Sequence, residues 1–208
     1  MPLEALILDY GNVLTHPQPT DWCESVTSLV GVSTEAFREA YWEHRQRYDA
    51  GLPAAEYWRR VLETLGHSPH ASEVGVIIDR LVEADVASWT RYREEVWDLA
   101  LSFRLHGGRT AFLSNGVVEA MARIRAERHL ERWFDVVVVS CEVGAAKPDP
   151  VIFEMCLSQL GVTPRQALFV DDRIENLEGA ARLGLQTLHF IGTDAVSRLA
   201  HSIRSSSG

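Results

Sequence analysis

Residues 3–9 read Leu-Glu-Ala-Leu-Ile-Leu-Asp, and the short apolar run Leu6-Ile7-Leu8 ends in Asp9. Three later runs have the same form and also end in a polar residue: 110–113 before Ser114, 136–139 before Ser140, and 167–170 before Asp171. Residues 186–190 are the candidate for a fifth strand. Short runs of this kind are typical of strands buried on both faces. The pattern therefore predicts a parallel sheet covered by helices.

Helical patterns lie between these runs. One apolar stripe is closed by Gly107-Gly108 and consists of Val96, Leu99, Ala100 and Phe103. Another helix is predicted from Pro150 to Leu160, with Asp149 as its N-cap and Gly161 at its end. The alternation of strands and helices predicts an α/β fold with a doubly wound parallel sheet.

The alternation is interrupted between Pro17 and Ser88, where only helical patterns occur. An example is an aromatic and histidine series with intervals of four, three and four, formed by Phe37, Tyr41, His44 and Tyr48. We therefore predict a helical cap domain at 17–88, inserted after the first strand. The α/β core would then comprise 1–16 and 89–208. The alternative is that these helices simply belong to one common core.

Composition restricts the classes of partner. The chain has 208 residues, a formal net charge of −9 and three cysteines far apart in the sequence. Nucleic acid and anionic membrane surfaces are disfavoured as partners, because both require clustered Lys and Arg. No apolar run approaches the roughly 20 residues of a membrane-spanning helix, and the first residues do not resemble a signal peptide. These features predict a cytoplasmic protein that acts on a small molecule, and they leave its oligomeric state open.

Polar residues directly follow the predicted strands: Asp9, Ser114, Asp171 and Asp172. In an open parallel sheet the carboxyl ends of the strands share one edge, where ligands bind. Three carboxylates brought together there stay ionised only if a cation compensates their charge, and oxygen ligands suit Mg²⁺. The sequence therefore predicts a Mg²⁺ site at this edge, although each aspartate taken alone is also compatible with a helix cap or a loop.

Two further segments predict an anion site. Ser114-Asn115-Gly116 offers a hydroxyl, a side-chain amide and backbone N–H groups before a helix. Lys147 precedes Pro148, which restrains it to an extended conformation. An ammonium held in this way would neutralise phosphate charge. The simpler alternatives are that Ser114 only caps a helix and that Lys147 is a solvated surface residue.

Four ordered motifs resemble those of the haloacid dehalogenase-like hydrolases over nearly the whole chain. They lie at 8–14, 113–116, 147–148 and 170–176 and read LDYGNVL, LSNG, KP and VDDRIEN. The resemblance implies a nucleophilic Asp9 that forms an aspartyl-phosphate, and a C1-type helical cap. It implies Mg²⁺ bound by Asp9, the carbonyl of Gly11, Asp171 and Asp172. Ser114 and Lys147, with Asn115 and Gly116, would bind the phosphoryl group.

The first motif departs from the phosphatase branch at Gly11, where that branch carries a second Asp that protonates the leaving oxygen. Loss of a general acid typically costs a factor of about 10²–10⁴ in rate. The departure favours an ester with a good leaving group, such as an anomeric sugar phosphate. His16 is a candidate substitute, although an exposed loop histidine is the simpler interpretation. The form Asp-x-Gly-Asn-Val-Leu resembles a subgroup with α-glucose-1-phosphate phosphatase and, more distantly, the N-terminal domain of soluble epoxide hydrolases.

Two other functions remain open at this point. A 2-haloacid dehalogenase would also lack the second Asp and would need no metal, but it would need a cap arginine such as Arg38 or Arg45 for the substrate carboxylate. Asp171 and Asp172 argue against it, because extra carboxylates without a metal would repel an anionic substrate. The second alternative is a protein of this fold that binds a ligand without catalysis.

Substrate-contacting residues are expected in the cap, with Trp42 and Arg45 as the candidates. An aromatic ring would stack on a sugar, and an arginine would meet a second anionic group. The alternative is that the cap aromatics pack its own core, among them Trp22, Tyr41 and Trp58.

Overall fold

The computed structural model describes residues 3–67 and 71–205. Its centre is a five-stranded parallel sheet with the strand order β3-β2-β1-β4-β5. The strands are β1 (Ala5–Leu8), β2 (Arg109–Ser114), β3 (Val136–Val139), β4 (Ala167–Asp171) and β5 (Gln186–His189). The predicted fold class is confirmed, because all five apolar segments form strands of one parallel sheet.

In the described residues, ten α-helices surround or extend this sheet. They are α1 (Trp22–Val30), α2 (Thr34–Asp49), α3 (Ala54–Thr64), α4 (Ala71–Ser88), α5 (Glu94–Leu105), α6 (Val118–Arg128), α7 (Ser140–Val143), α8 (Pro150–Leu160), α9 (Ile174–Arg182) and α10 (Ala195–Ser205). Asp149 caps α8 by accepting a hydrogen bond from the N–H of Val151 at 2.9 Å, which agrees with the predicted start of this helix.

The two faces of the sheet are covered by different helices. Leu6 and Leu8 of β1 belong to one hydrophobic cluster with residues of α5, α6 and α10. Ala5 and Ile7 point to the opposite face and join a second cluster with residues of α8 and α9. All four β1 residues are fully buried, because alternate side chains of this strand enter different clusters. This explains why the strand is apolar at every position.

The four helices α1–α4 fall within the predicted insertion at 17–88, whose residues 68–70 lie outside the described residues. Their interior is aromatic: Trp22, Phe37, Tyr41 and Trp58 are buried against one another. The alternative that these aromatics pack the insert itself is therefore correct for Trp22, Tyr41 and Trp58. We keep the division into two domains as a prediction.

The two chain segments that connect the insert to the sheet run side by side. Thr15 and Tyr92 form an antiparallel bridge, and the N–H of His16 donates to the carbonyl of Arg91 at 2.8 Å. The Gln18 amide donates to the Ser88 hydroxyl at 2.8 Å. The insert thus leaves and re-enters the α/β part at one place. Within the described part of the chain, every helix is too short or too polar to cross a lipid bilayer.

Candidate active site

The sheet brings the predicted acidic residues together at its carboxyl edge. Asp9 directly follows β1, and its backbone N–H donates to the carbonyl of Val170 in β4 at 3.0 Å. Asp171 ends β4 and Asp172 follows it. One carboxylate oxygen from each of Asp9, Asp171 and Asp172 lies within 4.8 Å of the other two. The parallel register therefore places three acids, two of them 162 residues or more from Asp9, at one point.

Lys147 contacts two of the three acids in this cluster. Its Nζ donates to Oδ1 of Asp9 at 2.6 Å, to Oδ2 of Asp171 at 2.7 Å and to the carbonyl of Leu113 at 3.0 Å. These three bonds use all donors of an ammonium group. Burial disfavours the charged form, but Asp171 and Asp9 outweigh it and raise the pKa of Lys147 above its usual value. The residue is a buried cation and not a solvated surface lysine.

Lys147 is also the only lysine in a chain with 20 basic residues. An ammonium directs its donors tetrahedrally from one atom, whereas guanidinium is planar and larger. Only the former fits two carboxylates and a carbonyl around a single nitrogen. This compositional signal was available in the sequence and would have singled out the residue without any motif.

Asn115 was expected to contact phosphate, but its side chain has a different partner. Its Nδ2 donates to the carbonyl of Lys147 and its Oδ1 accepts from the N–H of Lys147, both at 2.8 Å. The amide therefore fixes the backbone that carries the lysine. The Gly116 N–H, also expected at the phosphate, donates to the Ser140 hydroxyl at 3.1 Å. Of the predicted anion-binding groups, the Ser114 hydroxyl is without a hydrogen bond to any described residue.

The acids differ in how many partners they have. Asp171 is fully buried and accepts from Lys147, from the Arg173 N–H at 2.8 Å and from the Asn176 amide at 3.1 and 3.0 Å. Asp172 is less buried and accepts from one neighbouring side chain, the Asn12 amide, at 2.7 Å. Both oxygens of Asp171 are thus occupied, which makes Asp9 and Asp172 the better donors for a metal ion among the predicted ligands.

The electrostatics of the cluster fit a divalent cation. The pKa of Asp9 is raised from 3.8 to about 7, because burial and the charges of Asp171 and Asp172 together outweigh the lowering effect of Lys147. Burial likewise raises the pKa of Asp172. Close carboxylates that resist ionisation are stabilised by a bound cation, and an oxygen-only donor set suits Mg²⁺. The residues present therefore fit the predicted ion.

Gly11 has an ordinary extended backbone, with φ −63° and ψ 131°. A Cβ atom built on it would lie 3.4 Å from Cζ3 and 3.9 Å from Cη2 of the Trp89 ring. The sequence reasoning missed Trp89, because no local pattern connects a residue after the insert with position 11. The space beside the nucleophile that a second Asp would enter is thus bounded by an indole ring.

His16, the suggested substitute acid, is half-buried beside the insert connection. Burial and the charges of Arg93 and Arg91 lower its pKa, so that the ring is neutral at pH 7. Its backbone contact is with Arg91, and no hydrogen bond of the described residues joins its ring to Asp9. Its role as an acid stays a prediction.

The two predicted substrate residues occupy different positions. Trp42 is 51% exposed and packs edge-on against Tyr41. Arg45 is buried inside the insert, where its guanidinium pairs with Asp49 at 2.8 Å and Asp85 at 3.3 Å and donates to the Tyr41 hydroxyl. A guanidinium engaged in this way is held by the insert, which argues against the predicted contact of Arg45 with a substrate anion.

A sequence model of the haloacid dehalogenase-like hydrolases matches residues 3–184. The chain belongs to this family and is an enzyme of the hydrolase class, which confirms the resemblance seen in its four motifs.

Two curated relatives illustrate the range of the family around this chain. Bifunctional epoxide hydrolase 2 of Sus scrofa is 27% identical over 216 residues, covering 95% of this chain and 38% of that protein. Phosphoserine phosphatase of Thermus thermophilus is 32% identical over 157 residues, covering 70% of this chain and 59% of that protein. The chain spans less than two thirds of the length of either relative.

Solved structures share the fold. A HAD family enzyme of Bacteroides thetaiotaomicron, in complex with magnesium and inorganic phosphate, has a TM-score of 0.72 and 20% identity, covering 92% of this chain and 96% of that chain. The L-2-haloacid dehalogenase of Xanthobacter autotrophicus has a TM-score of 0.66 and 19% identity, covering 96% and 83%. At such identities the likeness concerns the fold alone.

Proposed function

We propose that this hydrolase is a Mg²⁺-dependent phosphatase of small phosphate monoesters, with a sugar phosphate as the preferred class. The observation that carries the proposal is the contact of Lys147 with Asp9 inside a cluster of three carboxylates. A cation-binding set of acids beside a paired nucleophile is what a dianionic ester requires, since its charge must be neutralised before a carboxylate can attack. Relatives that carry phosphatase names support it.

Asp9 is the proposed nucleophile. Lys147 holds Oδ1 of this carboxylate, and Oδ2 accepts no hydrogen bond from any described residue. Oδ2 attacks phosphorus, the bond to the leaving oxygen breaks, and that oxygen keeps the electron pair and takes a proton from solvent. Water then attacks the phosphorus of the aspartyl-phosphate, which releases inorganic phosphate and restores Asp9. Lys147 offsets the negative charge of the oxygens throughout, and Ser114 donates its hydroxyl to the phosphoryl group.

Asp9 and Asp172, together with the predicted carbonyl of Gly11, would hold Mg²⁺, which supplies charge neutralisation at the phosphoryl oxygens when bound. Asp171 supports the site differently, because it orients Lys147. The helices α1–α4 are proposed as the cap that covers this edge. Their contact to the α/β part includes the Tyr48 hydroxyl, which donates to Glu119 at 3.0 Å, and the Ser140 hydroxyl, which donates to the Asp49 carbonyl.

A dehalogenase is the competing function, and the arginines of the insert do not favour it. Arg45 is engaged with Asp49 and Asp85, and Arg38 donates to the Cys23 sulfur at 3.5 Å. Neither guanidinium has a contact with Asp9 or Lys147 among the described residues. The two arginines predicted to bind a substrate carboxylate therefore give no support to dehalogenation.

The test is a screen of phosphorylated metabolites with Mg²⁺, run beside 2-chloropropionate in chelator, with released phosphate and halide as readouts. We expect phosphate release that Asp9→Asn abolishes and that the matched surface variant Asp98→Asn retains. Halide release in chelator would replace the proposal by dehalogenation. Ester binding without turnover in the wild type would favour a non-catalytic protein.

A further inference from the structure

Gly11 is not required by the backbone at its position. Its φ of −63° and ψ of 131° are accessible to every L-amino acid. The adjacent Asn12, in contrast, has a φ of 59°. The Trp89 ring lies 3.4 Å from the place of a Cβ atom at residue 11, which is an ordinary van der Waals contact. A side chain at residue 11 would therefore begin in contact with this ring.

Trp89 is held firmly against the first motif. Its backbone carbonyl accepts a hydrogen bond from the Tyr10 hydroxyl at 2.6 Å. Because Tyr10 directly precedes Gly11, this bond links the backbone of Trp89 to the first motif. Its N–H donates to the carbonyl of Val86 at 3.2 Å at the end of α4. The indole Nε1 is buried and has no partner in the described part of the chain. Packing and the backbone anchor thus set the ring position.

We propose that Trp89 is a specificity-determining residue whose ring forms the wall for the leaving group of the ester. The inference rests on the proposed function and on the resemblance to the phosphatase branch, whose side chain at the position of residue 11 meets the leaving oxygen. A flat aromatic surface there packs against the face of a sugar or aryl ring. Residue 11 beside this ring is a glycine and supplies no carboxyl group, so the enzyme selects esters whose leaving group departs without an acid at that position.

The proposal separates two properties of a substrate, the presence of a ring and the quality of the leaving group. Three esters vary them: 4-nitrophenyl phosphate has a ring and a good leaving group, phenyl phosphate has a ring and a poor one, and acetyl phosphate has a good one and no ring. The variants are Trp89→Ala, Trp89→Phe, Gly11→Asp and the double variant. Gly75→Asp is the matched glycine control, since this exposed position in α4 has no atom within 4 Å of an added Cβ.

We expect Trp89→Ala to raise KM for 4-nitrophenyl phosphate about three- to tenfold, the range given by aromatic contacts, while KM for acetyl phosphate stays within about twofold. Trp89→Phe keeps a ring and should retain most of the difference between the two esters. Gly11→Asp alone should increase turnover of phenyl phosphate less than it does in the Trp89→Ala background, because the new side chain must pack against the ring. In the Trp89→Ala background the same change should raise kcat for phenyl phosphate about tenfold or more.

Equal changes of KM for the ring-bearing and ringless esters in Trp89→Ala would contradict the proposed contact of the Trp89 ring with the leaving group. So would a gain from Gly11→Asp alone that matches the gain in the double variant. Melting temperatures close to that of Gly75→Asp show that the variants are folded. Absence of turnover with all three esters in the wild type would instead overturn the proposed phosphatase function, and the role of Trp89 with it.

Discussion

The ammonium of Lys147 lies 2.6 Å from Oδ1 of Asp9, although 138 residues separate the two in the chain. The same nitrogen also contacts Asp171, and Lys147 and Asp171 are essentially inaccessible to solvent. Removal of one partner of a buried ion pair leaves an uncompensated charge and typically costs about 3–5 kcal/mol. Lys147→Gln should therefore lower both turnover, by about a hundredfold or more, and the free energy of unfolding.

The control for this variant is Arg182→Gln, which removes an exposed cation and should change the free energy of unfolding by less than about 0.5 kcal/mol. Lys147→Arg separates charge from shape, because a planar guanidinium cannot place three donors on one nitrogen. Activity of Lys147→Arg near that of the wild type would show that charge alone suffices.

The pKa of Asp9 predicts a pH dependence of stability in the metal-free protein. Burial raises the pKa of Asp9 to about 7, against 3.8 for an unperturbed aspartate. A group whose pKa is raised on folding stabilises the fold at low pH, and this contribution is lost as pH rises through the folded pKa. The difference in unfolding free energy between wild type and Asp9→Asn should therefore fall between about pH 4 and 7. Denaturant unfolding in EDTA measures it.

Addition of Mg²⁺ should weaken that pH dependence, because a cation beside Asp9 favours its ionised form. Identical pH profiles for wild type and Asp9→Asn in EDTA would contradict the raised pKa.

Asp171 and Asp172 should respond differently to substitution. Asp172 has one neighbouring side-chain partner, whereas Asp171 holds Lys147 and Asn176. We expect Asp172→Asn to abolish the rise of melting temperature on addition of Mg²⁺, since ligand binding stabilises the folded state by mass action. Asp171→Asn should lower the melting temperature already in EDTA, by an amount equivalent to about 1–3 kcal/mol. Asp98→Asn is the control, and a Mg²⁺ response lost only in Asp171→Asn would reverse the assignment.

Asn115 should act through the backbone of Lys147. Asn115→Ala removes two hydrogen bonds to that residue, each worth about 1 kcal/mol. We expect kcat to fall about tenfold with little change in KM for the ester, because the side chain does not reach the substrate. A large rise of KM with unchanged kcat would restore the predicted contact with phosphate. Asn115→Asp can accept a hydrogen bond from the Lys147 N–H but cannot donate one to the Lys147 carbonyl. Its kcat should therefore lie between those of the wild type and Asn115→Ala.

Local patterns were enough to predict the sheet and the position of the candidate site. Leu6-Ile7-Leu8 is apolar at every position because alternate residues enter two different clusters, and the same logic holds for the other central strands. Asp9, Asp171 and Asp172 were expected at one edge, since parallel strands end on the same side. These conclusions need only the hydrophobic periodicity of the sequence and the general rule that parallel strands end at the same edge of a sheet.

The partners of individual side chains were decided by the tertiary structure. The Asn115 side chain is hydrogen-bonded to the backbone of Lys147, and both carboxylate oxygens of Asp171 accept hydrogen bonds. Arg45 forms ion pairs inside the insert, and the Trp89 ring lies beside Gly11. Each contact involves groups a few ångströms apart, and the contacts of Asn115 and Trp89 connect segments 32 and 78 residues apart. A hydrogen bond or a close packing contact depends on positions to within about an ångström, whereas hydrophobic periodicity depends only on residue spacing. The order of residues therefore predicts the location of the site, and the tertiary structure decides which partner each side chain has.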